Sequence, residues 1–390
     1  MNAPQFNRRE FGAGLGAIMV AFSLNPERAL AQAAEKPKLP GSLDNNRMLD
    51  AWIRIGADGT ATVCTGKAEL GQGILTALWQ IAAEELDLPL ARVTMISPDT
   101  ARTPDEGVTS GSQSIEQSGT ALRLAGAEVR VILLDLAAKW LGVGADMLTV
   151  SDGVIAAPDG RKVSYGELAA ETDLKREATG KATAKKPADH KIVGKPVRRL
   201  DIPAKATGGM AFVQDLRLPG MLHGRVVRPP RYGAKLESFD EAGAKAMPGV
   251  VVIVRDGSFL GVVAEREEQA IAARTALIAS AKWSGGDPMP DAAKLYDHLL
   301  ALPTEDRVVS EKQAALPEGA KIIEATYHKP YTAHASLSPS CAVAEHKDGK
   351  LTVWSHTQGV FPLRVSLARA RHPGLYHPLR PHGGLGLLRP

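Results

Sequence analysis

The chain has 390 residues, 44% hydrophobic and 23% charged, the composition of a soluble globular protein with material for roughly two or three cores. Its 47 basic and 43 acidic residues nearly balance at +4, which argues against a nucleic-acid partner, since such binders concentrate a basic excess. The two cysteines, Cys64 and Cys341, exclude a disulfide framework, a four-cysteine zinc site and the thiolate set of an iron–sulfur cluster on this chain.

Residues 1–31 read as a twin-arginine export signal. Arg8-Arg9 precedes an apolar stretch, Gly12 to Leu24, and Ala29-Leu30-Ala31 supplies a small-x-small cleavage pattern. That stretch is short of the about 20 apolar residues a membrane-spanning helix needs. Residues 33–48 read as a polar leader. A hairpin follows, Ala51 to Ile55 and Thr60 to Thr65 around Asp58-Gly59. Ile74, Leu75, Leu78, Ile81, Ala82 and Leu86 mark one face of a helix, and Val93 to Ile96 suit a strand. A polar loop, 97–111, leads to a helix predicted from about Ser114 to Leu141, and Thr149 to Val163 form another hairpin turning at Pro158-Asp159-Gly160.

The lysine- and arginine-rich run 175–200 reads as a solvated linker between domains. A second unit spans 201–285, with strands at Val226-Val227, Val250 to Val254 and Leu260 to Ala264 and a helix from Glu265 to Ala279. A polar connection, 286–320, leads to a third unit, 321–370, with strands at Ala325 to Tyr331, Ser340 to Ala344 and Leu351 to Ser355. The fold class is α+β, multidomain. The tail 371–390 uses only Arg, His, Pro, Gly, Leu and Tyr, a bias without packing rationale that reads as out-of-frame translation of a truncated product.

Three segments carry candidate chemistry. In Lys67-Ala68-Glu69-Leu70-Gly71-Gln72-Gly73-Ile74 the glycines permit close backbone approach, the helix start offers free amides to an anion, and Gln72 brings a donor and an acceptor. A tight strand-to-helix turn explains the same residues. In Thr109-Ser110-Gly111-Ser112-Gln113-Ser114, small hydroxyl residues opening a helix serve as a cap or as a phosphate cradle. The preceding segment, 98–107, reads as a surface loop, and its Asp105-Glu106 pair makes no acid/base dyad because neighbouring side chains diverge. The third runs from His334 to Ser340 and from Trp354 to Arg364 through Thr357-Gln358-Gly359. His334 and His356 lack zinc-ligand spacing, and no Gly-x-Ser-x-Gly elbow is present. Asp58-Gly59-x-x-Thr62-Val63 is echoed by Asp348-Gly349-x-x-Thr352-Val353, each ahead of a glutamine–glycine turn, as two half-sites or two ordinary hairpins would be.

Together these segments resemble the molybdenum-binding large subunit of the xanthine dehydrogenase/aldehyde oxidase family, in the branch of the isoquinoline 1-oxidoreductase beta-subunit and membrane-associated aldehyde dehydrogenases. The resemblance rests on the string Gly66 to Gly119, on Asp201-Ile202-Pro203-Ala204-Lys205-Ala206-Thr207-Gly208 and on Leu218-Pro219-Gly220-Met221-Leu222-His223-Gly224. It implies a molybdopterin-binding α+β module at 49–174, permuted relative to xanthine dehydrogenases, an α/β-hammerhead domain at 201–285, and the start of a first molybdenum-binding domain at 321–370. It further implies a molybdenum–molybdopterin cytosine dinucleotide cofactor. Gly71, Gln72 and Gly73 would touch the pyranopterin, Ser110, Gly111, Ser112 and Ser114 would line its dithiolene and phosphate end, and Gln358 would hydrogen-bond the apical oxo group. No residue of this chain ligates the metal directly.

The implied reaction is oxidative hydroxylation of an N-heteroaromatic or aldehyde substrate with water as oxygen source. Electrons would pass to a small partner subunit carrying 2Fe–2S clusters, with a cytochrome c subunit as a further partner, in the periplasm or at the inner membrane. Two positions depart from the family pattern. Ser338-Pro339 stands where the branch has Glu-Pro, and the family's glycine-rich segment and Gly-Glu base are not found, so no catalytic residue is assigned to this chain. The alternatives are a non-catalytic exported pterin-binding or scaffold fragment, or a frameshifted relic. The expectation is that the chain does not turn over alone; an active, cofactor-loaded preparation of it would overturn that.

Overall fold

A computed structural model describes residues 37–369 apart from Gln313, His334 and Leu337. The expected export signal, the tail from Arg371 and the histidine opening the third candidate segment lie outside the described residues. The chain divides into two compact units, Met1–Leu216 with Ser338–Pro390, and Arg217–Leu337.

In the first unit β1 (Ile53–Ile55) and β2 (Ala61–Cys64) form the expected antiparallel hairpin, and β3 (Val93–Ile96) joins β2 in parallel. A parallel neighbour needs a crossover, which α1 (Ile74–Glu85) provides. Its face of Ile74, Leu75, Leu78 and Ala82 is buried, each large aliphatic contributing about 1.5–3 kcal/mol. A π-helical turn, Ser114–Gly119, runs into α2 (Thr120–Leu141), which lies along α1. The helices approach closely where Gly126 meets Glu85: a Cβ on Gly126 would stand 2.8 Å from the Glu85 Cβ. Trp52 and Tyr165 are fully buried, and each polar tip finds a carbonyl, Trp52 Nε1 donating to Asn46 O (2.7 Å) and Tyr165 Oη to Leu86 O (2.9 Å). The segment 149–164 is not one hairpin but a three-stranded meander, β4 (Thr149–Ser151), β5 (Val154–Ala156) and β6 (Lys162–Ser164), because Asp152-Gly153 makes a second turn. Ser164 and Glu167 then close a capping box on α3 (Tyr165–Leu168).

Two stretches expected to be solvated belong to this core. In the leader, Leu39 and Leu43 are buried beside Leu49. The run 175–200 is bound to the unit rather than free, because its cations and amides meet acids at the end of α1. Glu84 Oε2 accepts from the amides of Lys191, Ile192 and Val193 at 2.9, 2.6 and 3.0 Å, and Glu84 Oε1 from Lys185 Nζ at 3.2 Å. Burial opposes ionisation of Glu84, but these bonds outweigh it and hold the carboxyl below its usual range. The first unit also extends past the expected boundary at 201, through α4 (Ile202–Ala206), because Arg199, Leu200 and Asp201 are tied into it.

The second unit packs a β7–β10–β9 sheet against a helix. Its elements are β7 (His223–Val227), β8 (Lys235–Ser238), α5 (Glu241–Lys245), β9 (Val250–Asp256), β10 (Phe259–Ala264), α6 (Glu267–Ser280), β11 (Lys282–Ser284) and α7 (Leu295–Leu300). Alternation along β10 buries Leu260, Val262 and Ala264, and the first two pack with Ala273 and Leu277 of α6. The strand expected at Ala325 to Tyr331 does not form: these residues are exposed and pair with no strand among the described residues, so their backbone groups face solvent.

The chain then returns to the first unit at Ser338, so the expected unit 321–370 is divided between the two. There β12 (Ala342–Lys347) and β13 (Lys350–Ser355) form a hairpin, followed by α8 (Val360–Arg369). Among the described residues no helix is long and apolar enough to cross a membrane.

Replacing Glu84 by Ala orphans three main-chain amides and leaves Lys185 with Asp87 alone. We expect a loss of about 2–4 kcal/mol in urea unfolding and faster amide exchange over 185–193; unchanged exchange would show that this run is not held by Glu84.

Candidate functional site

Between β2 and α1 the backbone turns through Gly71 (φ +100°) and Gly73 (φ +85°), conformations that favour glycine. The carboxylate of Glu69, completely buried, organises this turn. Its Oε1 accepts from Gly71 N (2.8 Å) and Gly73 N (2.9 Å), and its Oε2 from Leu75 N (3.2 Å). Three of the amides at this turn are therefore occupied from within. The Gln72 side chain also folds back, Nε2 donating to Ala68 O (3.0 Å) and Oε1 accepting from Leu70 N (2.5 Å). One N–H and one acceptor position of that amide remain.

At the start of the long helix the residue in the capping position is Gln113, and no side chain caps the turn. The hydroxyls of Ser110, Ser112 and Ser114 make no cap, so capping does not account for the serine cluster. Gly111 (φ +65°) and Ser112 (φ +57°) are both left-handed, which folds the loop back on itself. Gln358 arrives from the far end of the chain and pairs with Thr109 in both directions. Thr109 N donates to Gln358 O (2.9 Å), and Gln358 Nε2 donates to Thr109 O (3.0 Å).

These three segments enclose a cleft of about 420 Å³. Its wall contains Gln72, Gly73, Ser110, Gly111, Ser112, Ser114 and Gln358, seven of the eight residues singled out in the sequence, with Leu70, Ile74, Ala77 and Ile115 as apolar floor. Gly71 is the eighth; it does not line the cleft, and a Cβ there would meet nothing within 4 Å. No charged side chain lines this cleft among the described residues. No group of three or more His, Cys, Asp or Glu side chains fit to hold a metal ion occurs among the described residues.

The segment 98–107, expected to be surface, forms part of the framework behind the cleft. Glu106 Oε2 accepts from Thr65 Oγ1 (2.9 Å), Gly66 N (2.7 Å) and Ser118 Oγ (3.0 Å). Lys67, also buried, donates to the carbonyls of Glu106 (2.8 Å) and Val108 (3.3 Å). Arg199 completes the framework at the Gly-Gln-Gly turn. It donates to Gly71 O (2.8 Å) through Nη1, and grips Asp201 through Nε (2.9 Å) and Nη2 (2.7 Å). Lys205 Nζ adds a bond to Asp201 (2.7 Å). Burial works against the Asp201 charge, yet its bonds to Arg199 and Lys205 prevail and hold the carboxyl at about 2. The framework roles of Glu69, Lys67, Glu106 and Arg199 escaped sequence reasoning; the available signal was an acid two residues before the first glycine of the turn.

Fold and cleft together describe an α+β module with a polar but uncharged cleft. The molybdopterin cofactor-binding domain pattern matches residues 2–203, more than half of the chain, and the chain belongs to that family. It is 36% identical to a nicotinate dehydrogenase subunit of Pseudomonas putida over 93% of this chain and 31% of that protein. It is 29% identical to a membrane-bound aldehyde dehydrogenase (pyrroloquinoline-quinone) of Gluconacetobacter polyoxogenes, over 82% of this chain and 44% of the relative. With the beta-subunit of isoquinoline 1-oxidoreductase of Brevundimonas diminuta it shares 27% identity, over 91% of this chain and 52% of the relative. The chain thus spans between about a third and a half of the length of these curated relatives.

The Asp201 clamp gives a pH prediction. Its folded pKa lies below the 3.8 of an ordinary aspartate, so its stabilisation is complete above about 4 and fades as pH falls toward 2. Asp201→Asn should lose about 2–4 kcal/mol at neutral pH and flatten the acid limb of the stability curve. An acid limb identical to that of the unsubstituted chain would refute the assignment.

Proposed function

We propose that the chain provides the pterin-contacting part of a molybdenum hydroxylase, acting on N-heteroaromatic or aldehyde substrates with water as oxygen source. The observation that carries this reading is the convergence of Gln72, Gly73, Ser110, Gly111, Ser112, Ser114 and Gln358 on one cleft, in a chain of the molybdopterin cofactor-binding domain family. When bound, the cofactor supplies the two-electron redox chemistry. This chain's residues bind and orient it. Gln72 and Gln358 are each held by one set of hydrogen bonds and keep a further amide N–H for a ring edge, while Ser110, Ser112 and Ser114 offer hydroxyls to the anionic end. A phosphate group can be held by hydroxyls and helix-start amides. The quinone in the name of the Gluconacetobacter relative bears three carboxylates, which would call for arginine or lysine in a wall that has none among the described residues.

The same reading takes in the cytosine dinucleotide form of the cofactor, a hammerhead domain within 201–285, and electron transfer to a small 2Fe–2S subunit, with a cytochrome c subunit as a further acceptor. Four cysteines are the usual requirement of such a cluster and this chain has two, which supports placing it on a partner. The twin arginine at Arg8-Arg9 supports export to the periplasm. Gly71, through its φ of +100°, shapes the turn that would meet the pterin.

Chain purified from a host that makes the cofactor should carry molybdenum and pterin, read by elemental analysis and by fluorescence of the oxidised pterin. Joint replacement of Ser110, Ser112 and Ser114 by Ala should lower retained pterin by about tenfold or more, three hydrogen bonds being at stake. Because these hydroxyls cap nothing, the thermal midpoint should stay within about 2 °C. Wild-type chain that carries no pterin would sink the reading.

A further inference from the structure

The Arg199 guanidinium packs, half-buried, against the Gly-Gln-Gly turn without lining the cleft. A Cβ on Gly73 would stand 3.6 Å from the Arg199 Cζ, and Arg199 Nη1 holds the carbonyl of Gly71 at 2.8 Å. Its Nη2 reaches Glu69 Oε1 at 3.4 Å, the same oxygen that holds the amides of Gly71 and Gly73. Glu69 thus fixes the donors of the turn and Arg199 fixes its acceptor, so the peptide planes on both sides of Gln72 are set from behind. Arg199 is in turn oriented by the two-point grip on Asp201, which Lys205 reinforces, and Leu200 N is anchored to Thr76 Oγ1 (3.0 Å) on α1. A planar fork meets a carboxylate edge-on while a further N–H points elsewhere, a geometry lysine cannot reproduce.

We propose that Arg199 is a positioning residue for the pterin cleft: by holding Gly71 O while forked on Asp201, it sets the orientation of Gln72, so that ligand retention depends on a segment outside the cleft. This rests on the pterin-binding reading above. It adds that 199–205, which begins at the end of the basic stretch, controls the Gly-Gln-Gly wall in the first unit. Loosening the fork lets the two glycines, both in left-handed conformations with no side chain to restrain them, sample other geometries. The ligand then meets the bound shape only part of the time, and its apparent affinity falls by that fraction.

The test uses the full chain from a cofactor-producing host, with Arg199→Ala and Arg199→Lys compared with wild type. Lysine keeps an ion pair with Asp201, so Arg199→Lys should recover most of the thermal midpoint lost in Arg199→Ala. Both variants should nevertheless retain about tenfold less pterin, the equivalent of one charge-assisted bond. Amide exchange over 69–75, measured on cofactor-free chain, should rise in both. Pterin retention that follows the thermal midpoint, so that lysine restores both, would reduce Arg199 to a structural role and overturn the proposal. So would exchange over 69–75 that matches wild type. Wild-type chain without pterin is a different failure, that of the cofactor reading, and the exchange measurement still decides whether Arg199 holds the turn.

Discussion

The architecture of the site depends on one buried carboxylate. Glu69 sits between β2 and α1 with no exposure to water, where an isolated charge would cost several kcal/mol. It is tolerated because three main-chain amides and a guanidinium surround it, and those amides are donors that a glycine turn at a helix start otherwise leaves unmet. The acid and the turn stabilise one another. The turn is thereby rigid before any ligand arrives, and what it presents to the cleft is a glutamine amide rather than a ring of N–H groups.

That division of labour gives the cleft two unlike ends. The end formed by residues 70–77 is amide and aliphatic, suited to a flat ring with hydrogen-bonding edges. The end formed by Ser110 to Ser114 carries hydroxyls that make no cap and left-handed backbone at Gly111 and Ser112. Behind both, Lys67 and Glu106 tie the serine loop to the strand-to-turn segment through Thr65, Gly66 and Ser118, so the distance between the two ends is set by buried polar bonds. Polar networks of this kind specify a geometry more than they add stability.

The hairpin, crossover helix and strand of the first unit could be read from periodicity and turn residues, because each is decided by neighbours a few positions away. The cleft members Gln72, Gly73, the serines and Gln358 were singled out through the resemblance, because a glycine-rich turn and a serine-rich helix start each have an ordinary local explanation. What hid was pairing over distance. The run 175–200 carries the charge pattern of a solvated linker, and nothing local reveals that Glu84 and Glu85, about a hundred positions earlier, receive its amides and cations. Glu69 and Arg199 were hidden for the same reason. Ala325 to Tyr331 fails in the opposite sense: its local pattern suits a strand, but a strand exists only with a partner, and among the described residues none pairs with it.

The bond between Gln358 and Thr109 spans 249 positions of sequence. Chains emerge from the ribosome at about 5–20 residues per second, so roughly 10–50 s separate the appearance of the serine loop from that of the glutamine that latches it. During that interval the Gly-Gln-Gly turn already has its internal carboxylate, while the opposite wall stands without its final strut. The order of synthesis thus completes the rest of the cleft wall first, and the segment after the hairpin of β12 and β13 brings its last residue only afterwards.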